Sequence, residues 1–129
     1  MLCAQGEGLV FAAARGGGTI LVIGASSLTV LREVTSGPRP NGLAWDASRG
    51  RLLAADVHDC GARLLDPLTG ATIGRVELPG RPRWCVYDRE LDRFLVNVRE
   101  PAGVAVLAAE PLASAALTMR FRVRSAIVS

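Results

Sequence analysis

The chain has no lysine, a single histidine, three cysteines and few aromatics: two Trp, one Tyr and three Phe in 129 residues. Each scarcity excludes something. One imidazole, His58, cannot build a histidine shell around zinc. It sits in "DVHDCG" beside Asp59 and Cys60, and consecutive residues rarely converge on one ion, so it reads as a solvated turn residue. A cysteine nucleophile needs a histidine base, and no spacing brings His58 to Cys3 or Cys85. The cysteines form no CxxC pair and leave an odd one out, which suits thiols in a reducing compartment. No long apolar run exists either. The longest charge-free stretch, Gly16 to Leu31, is broken by glycines and by Thr19, Ser26, Ser27 and Thr29, short of the roughly 20 apolar residues that span a bilayer. "MLCAQGEG" has no basic n-region and already contains Glu7, unlike a secretory signal, so no compartment is indicated.

What is present is arginine and apolar residues. All 15 basic residues are Arg, against 12 acidic ones, and the net charge of +3 is small for this length. Arg pairs with phosphate in bidentate fashion, but genome base composition explains its exclusive use more simply. The hydrophobic half of the chain is cut into short blocks such as "LVFAAA", "ILVIG" and "VAVLAA".

Those blocks repeat. Residues 39–67 lie over 81–109 without a gap, 42 positions apart: Arg39/Arg81, Pro40/Pro82, Asp46/Asp88, Arg51/Arg93, Leu53/Leu95, Gly61/Gly103 and Leu65/Leu107 are identical. Trp45/Tyr87, Leu52/Phe94, Ala54/Val96 and Leu64/Val106 keep their class. The same step backwards puts Gly8 under Gly50 and "LVFAAA" under "RLLAAD". Three units result, about 1–37, 38–80 and 81–124. A fixed period of this length redefines a fold.

Each unit holds four short apolar runs between turn residues; in the middle unit these are Gly42–Trp45, Arg51–Ala55, Ala62–Leu65 and Thr72–Leu78. Such runs read as strands. Several are apolar throughout, which predicts sheets covered on both faces. "DPLTG", "DASRG" and "DRELD" each begin with an Asp that can bond its own backbone and close a hairpin. Gly-rich "RGGGT" lacks the spacing of a phosphate loop and aligns with the hairpin turn "VHDCG". The fold class is therefore all-β: a β-propeller of three four-stranded blades.

The order "PNGLAWD", turn, "RLLAAD", then "ARLLDPLTGATIGRVELPG" resembles the YVTN/NHL-like propeller repeats, whose blade type also occurs in the gluconolactonase (senescence-marker) family. The middle unit matches best. Propellers close with roughly four to eight blades, so three imply either a half-ring, closed by a homodimer into six blades, or a fragment of a larger propeller. "LTMRFRVRSAIVS" alternates Met119, Phe121 and Val123 with Arg120, Arg122 and Arg124, the pattern of an outer edge strand with a charged face.

Function is less legible, because these propellers host unrelated activities. The expected role is a non-enzymatic binding or interaction module. Its ligand face would be built by the turns leading into the inner strands, where Arg39, Asn41, Arg81, Arg83 and Trp84 converge on a protein or a small anionic ligand. No catalytic residue, metal or cofactor is assigned to it. Trp45 and Tyr87 occupy equivalent inner-strand places and read as packing, so base stacking and nucleic-acid binding are not expected. The gluconolactonase resemblance implies an alternative, a metal-dependent lactonase-like hydrolase in which Asn41 is an oxygen ligand to a divalent cation such as Ca²⁺. The acidic ligand expected in the next blade is replaced by Arg83. A third option is a propeller remnant without independent activity.

Overall fold

The structure, a computed structural model, describes residues 2–4, 7–100, 102–114 and 119–120. It contains three antiparallel sheets in sequence order. Sheet 1 is β1 (Leu2–Ala4), β2 (Leu9–Ala14), β3 (Thr19–Gly24) and β4 (Val30–Thr35). Sheet 2 is β5 (Pro40–Asp46), β6 (Arg51–Asp56), β7 (Gly61–Leu65) and β8 (Thr72–Glu77). Sheet 3 is β9 (Pro82–Asp88), β10 (Arg93–Val98), β11 (Gly103–Ala109) and β12 (Leu112–Ser114). Its outer edge is continued by β13 (Met119–Arg120), which pairs with Gly103 and Val104 of β11. The edge strand expected from Met119 to Arg124 is met for these two residues, and the rest of it lies outside the described residues. One turn of 3₁₀ helix (Arg15–Gly17) joins β2 to β3.

The hairpins form for the reasons the turn residues suggest. Asp66 Oδ1 accepts from Leu68 N at 2.9 Å and Asp46 Oδ1 from Ser48 N at 3.0 Å. Asp88 Oδ1 accepts from Leu91 N at 3.0 Å. The residue ending the turn after each inner strand needs a positive φ: Gly8 (+68°) and Gly50 (+66°) supply it in sheets 1 and 2. In sheet 3 Asp92 takes that conformation at +53°, which Asp tolerates better than most side chains.

The sheets stack face to face, inner strand on inner strand (β1 on β5, β5 on β9) and outer on outer (β8 on β12). Two apolar layers hold them. Phe11, Ile20, Val22 and Val34 of sheet 1 meet Leu52, Ala54 and Leu65 of sheet 2. The opposite face of sheet 2, with Ala44, Leu53, Ala55, Ala62 and Leu64, meets Cys85, Phe94, Val96, Ala105 and Leu107 of sheet 3. Successive strand residues point to opposite faces. Leu52 and Leu53 therefore serve different layers, and this is why "RLLAAD" is apolar throughout. Fully burying one such leucine contributes about 1.5–3 kcal/mol. Trp45 packs on Phe11 with ring centroids 5.1 Å apart, and its equivalent Tyr87 packs on Phe94 at 5.2 Å, so both inner-strand aromatics are packing residues.

A polar clamp ties sheets 2 and 3 together at the opposite end from the inner-strand starts. Arg49 Nη1 donates to Asp46 Oδ2 at 2.8 Å and to Asp92 Oδ1 at 2.7 Å, and its Nη2 donates to Asp92 Oδ2 at 2.8 Å. Tyr87 Oη donates to Asp92 Oδ1 at 2.7 Å. The Arg49 hydrogen bonds, then that of Tyr87, hold the Asp92 carboxyl well below the usual carboxylate range. No helix among the described residues is long and apolar enough to cross a membrane.

Candidate functional site

The turns leading into β5 and β9 lie at one end of the sheets, beside the β6–β7 turn. Two backbone bonds, one repeat apart, fix this geometry: Val57 N donates to Arg39 O at 3.1 Å, and Arg99 N to Arg81 O at 2.9 Å. Sheet 2 adds a device the others lack. Asp56, completely buried, accepts from Arg39 N at 2.6 Å, His58 N at 2.8 Å and Asp59 N at 3.1 Å. One carboxylate thus satisfies three backbone donors and fixes Arg39 and His58 relative to each other. The equivalent places in the neighbouring repeats hold Ala14 and Val98.

The result is an open cleft of about 530 Å³ lined by Arg39, Val57, His58, Cys60 and Arg81. Neither Arg39 nor Arg81 forms an ion pair among the described residues. The adjacent acid, Asp59, is turned away and engaged. Partial burial pushes its carboxyl up, but the hydrogen bond and charge of Arg63, with Arg75 3.7 Å away, outweigh that and hold it below its ordinary value. Two guanidinium groups without an ion pair among the described residues and an imidazole therefore line the cleft, while the nearby carboxylates of Asp56 and Asp59 are held by backbone N–H groups and by Arg63.

The five residues expected to converge divide into two groups. Arg39 and Arg81 line the cleft. Asn41, Arg83 and Trp84 line a separate hollow of about 160 Å³ on the β5–β9 seam, with Gly42, Leu43 and Cys85. The β9–β10 pairing shifts register here, between Val96 and Val98, and the consecutive residues Arg83 and Trp84 are both exposed; the β5–β6 pairing shifts likewise between Pro40 and Gly42, beside Asn41. There the Arg83 guanidinium sits 5.8 Å from the Trp84 ring centroid, a cation–π contact.

Asn41 Nδ2 donates to Pro82 O at 3.3 Å and to Arg83 O at 3.5 Å, tying β5 to β9. The residue at its place in sheet 3 is the cation Arg83, and no group of three His, Cys, Asp or Glu gathers among the described residues. These donors do not fit a divalent cation. Cys85 is buried, and burial pushes its thiol up to about 12, far from a reactive thiolate.

Sequence reasoning placed His58 in a solvated turn. It is exposed, and it also lines the cleft. Asp56 was missed. Its signal was an acid ending a strand where both other repeats carry an apolar residue.

No family profile matches this chain, and no curated protein matches it. Solved structures do. Hydrazine synthase of Kuenenia stuttgartiensis superposes with a TM-score of 0.77 at 13% identity, over 88% of this chain and 32% of its own. The Cps50 (Swd1) β-propeller domain of Myceliophteria thermophila gives 0.65 at 13% identity, over 92% and 36%. A chain of a mitotic checkpoint complex gives 0.68 at 10%, over 78% and 32%. The sheets are β-propeller blades. At these identities the likeness establishes fold alone, and the chain spans about a third of the length of each. Sheets 1, 2 and 3 are accordingly blades 1, 2 and 3.

Proposed function

We propose that the chain is a non-enzymatic propeller module of the YVTN/NHL-like blade type, binding an anionic group of a protein or small ligand in the Arg39–Arg81 cleft. The observation that carries this reading is the pair of guanidinium groups without ion-pair partners among the described residues, one of them on a backbone pinned by buried Asp56. Arg presents a rigid fork of donors matched to carboxylate and phosphate, and a site already ordered loses little entropy on binding. Its likeness to a chain of the mitotic checkpoint complex supports a part in protein assembly through fold only.

Calorimetric titration with inorganic phosphate and with a phosphoserine peptide tests the reading. Arg39→Ala and Arg81→Ala should each weaken binding about tenfold or more, in line with charge-assisted hydrogen bonds. Trp84→Ala, outside the cleft, should leave it unchanged. Equal affinity in wild type and both arginine variants, or no binding of either anion, contradicts the proposal.

A further inference from the structure

The Arg39–Arg81 cleft lies at the junction of blades 2 and 3, whose two faces both belong to this chain. It draws donors from three separate segments. Arg39 comes from the connection between β4 and β5, Arg81 from that between β8 and β9, and His58 from the β6–β7 turn. All three are exposed. The arginines are repeat equivalents, but His58 is not there by repetition. One repeat earlier its place holds Gly16, and one repeat later Glu100. Glu100 neither lines the cleft nor forms an ion pair with Arg81. Asp56 makes the placement firm. Its Oδ2 accepts from Arg39 N at 2.6 Å and its Oδ1 from His58 N at 2.8 Å, so both residues hang from the two oxygens of one buried carboxylate.

We propose that this cleft selects a phosphate monoester over a carboxylate, with His58 as the residue that sets the preference; the proposal rests on the reading of the cleft as an anion site. Charge and oxygen count decide between the two ligands. A carboxylate carries one charge and two oxygens in a plane, which a single guanidinium fork already matches. In this cleft it leaves the second guanidinium without a counter-charge. A phosphate monoester carries about −1.5 to −2 charge at pH 7 and three strong acceptor oxygens. It offsets both guanidinium groups and has an oxygen left for a third donor. The imidazole of His58 fits that place, because it offers an N–H in either protonation state. Its backbone is already fixed relative to that of Arg39, which spares ordering entropy when the ligand arrives. The cleft, open and about 530 Å³ in volume with Val57 in its lining, has room for the group that bears the phosphate as well as for the phosphate itself.

Calorimetry of the whole chain with one peptide in three forms, bearing phosphoserine, glutamate or serine at its centre, is the test. The phosphoserine form should bind about tenfold or more tighter than the glutamate form, and the serine form not measurably. Arg39→Ala should weaken both anionic forms. His58→Ala should weaken the phosphoserine form more than the glutamate form and so narrow the ratio between them. His58→Gln, which keeps an N–H donor, should recover part of that ratio, which a merely structural loss would not do. The chain has one histidine, so the ring resonances of His58 report on the cleft without ambiguity. They should move on addition of the phosphoserine form and stay in place with the serine form. Free phosphoserine competing as tightly as the peptide assigns the site to small phosphate esters, and much weaker competition to a phosphorylated protein segment; both agree with the proposal. Equal affinity for the phosphoserine and glutamate forms, with both weakened in Arg39→Ala, leaves the anion site standing and overturns the phosphate preference. A ratio unchanged in His58→Ala, with ring resonances unmoved, overturns the part given to His58. No binding of either anionic form overturns the anion site and the preference together.

Discussion

Leu53 and Leu95 hold the same place in successive blades, and their surroundings differ completely. Leu53 is fully enclosed between blades 2 and 3, while Leu95 is half-exposed beside Val86 and Trp84. The same contrast runs through Ala55 and Asn97, Ala62 and Val104, and Leu64 and Val106. Among the described residues, blade 2 is covered on both faces and blade 3 on one. A blade's stability is thus set less by its own ladder of hydrogen bonds, which both blades complete, than by what lies against its faces.

The largest effect that can break this comparison is a pair of truncations. Leu53→Ala should cost roughly 2–5 kcal/mol in denaturant unfolding, the usual toll of a buried cavity. Leu95→Ala should cost under about 1 kcal/mol. Equal losses would mean that the two faces are equally covered.

Next comes the buried carboxylate that only blade 2 possesses. Asp56→Ala strips three backbone N–H groups of their acceptor. It should cost roughly 1–3 kcal/mol. It should also weaken anion binding at the cleft, because Arg39 and His58 lose their shared anchor. Asp56→Asn keeps one acceptor oxygen and should recover part of both, as read by denaturation and calorimetry.

A smaller effect sits on the clamp between the blades. The Asp92 carboxyl is more acidic in the folded chain than in the unfolded one, through Arg49 first and Tyr87 second. As pH falls, the unfolded chain takes up its proton first. The contribution of Asp92 is therefore present above the ordinary aspartate value near 3.9 and is lost progressively as acid passes below it. The denaturation midpoint should fall on acidification, and Tyr87→Phe, by relaxing the Asp92 shift, should make that fall shallower. An unchanged acid limb in Tyr87→Phe would show that the phenol does not tune the carboxylate.

The fold was legible because its causes are written locally. Period 42, Asp-led turns and doubly apolar runs such as "RLLAAD" each have a direct physical reading, and the burial of Leu52 and Leu53 in opposite layers follows from strand alternation. The site was only half legible. Arg39 and Arg81 share the cleft, but Asn41, Arg83 and Trp84 line a separate hollow, and the register shifts at these strand starts have no mark of their own in the sequence. Asp56 was hidden because its partners are backbone groups, which every residue carries. The Arg49–Asp92 pairing crosses a junction between repeats, where a pattern read within each repeat has nothing to say.

Amide hydrogen exchange on the dilute chain tests most directly the claim that each blade depends on cover from both sides. The strands β6 and β7, enclosed between two apolar layers, should exchange slowest of all, slower than their equivalents β10 and β11 in blade 3 and β2 and β3 in blade 1. Uniform protection across the three blades, or faster exchange in blade 2 than in its neighbours, would contradict the account.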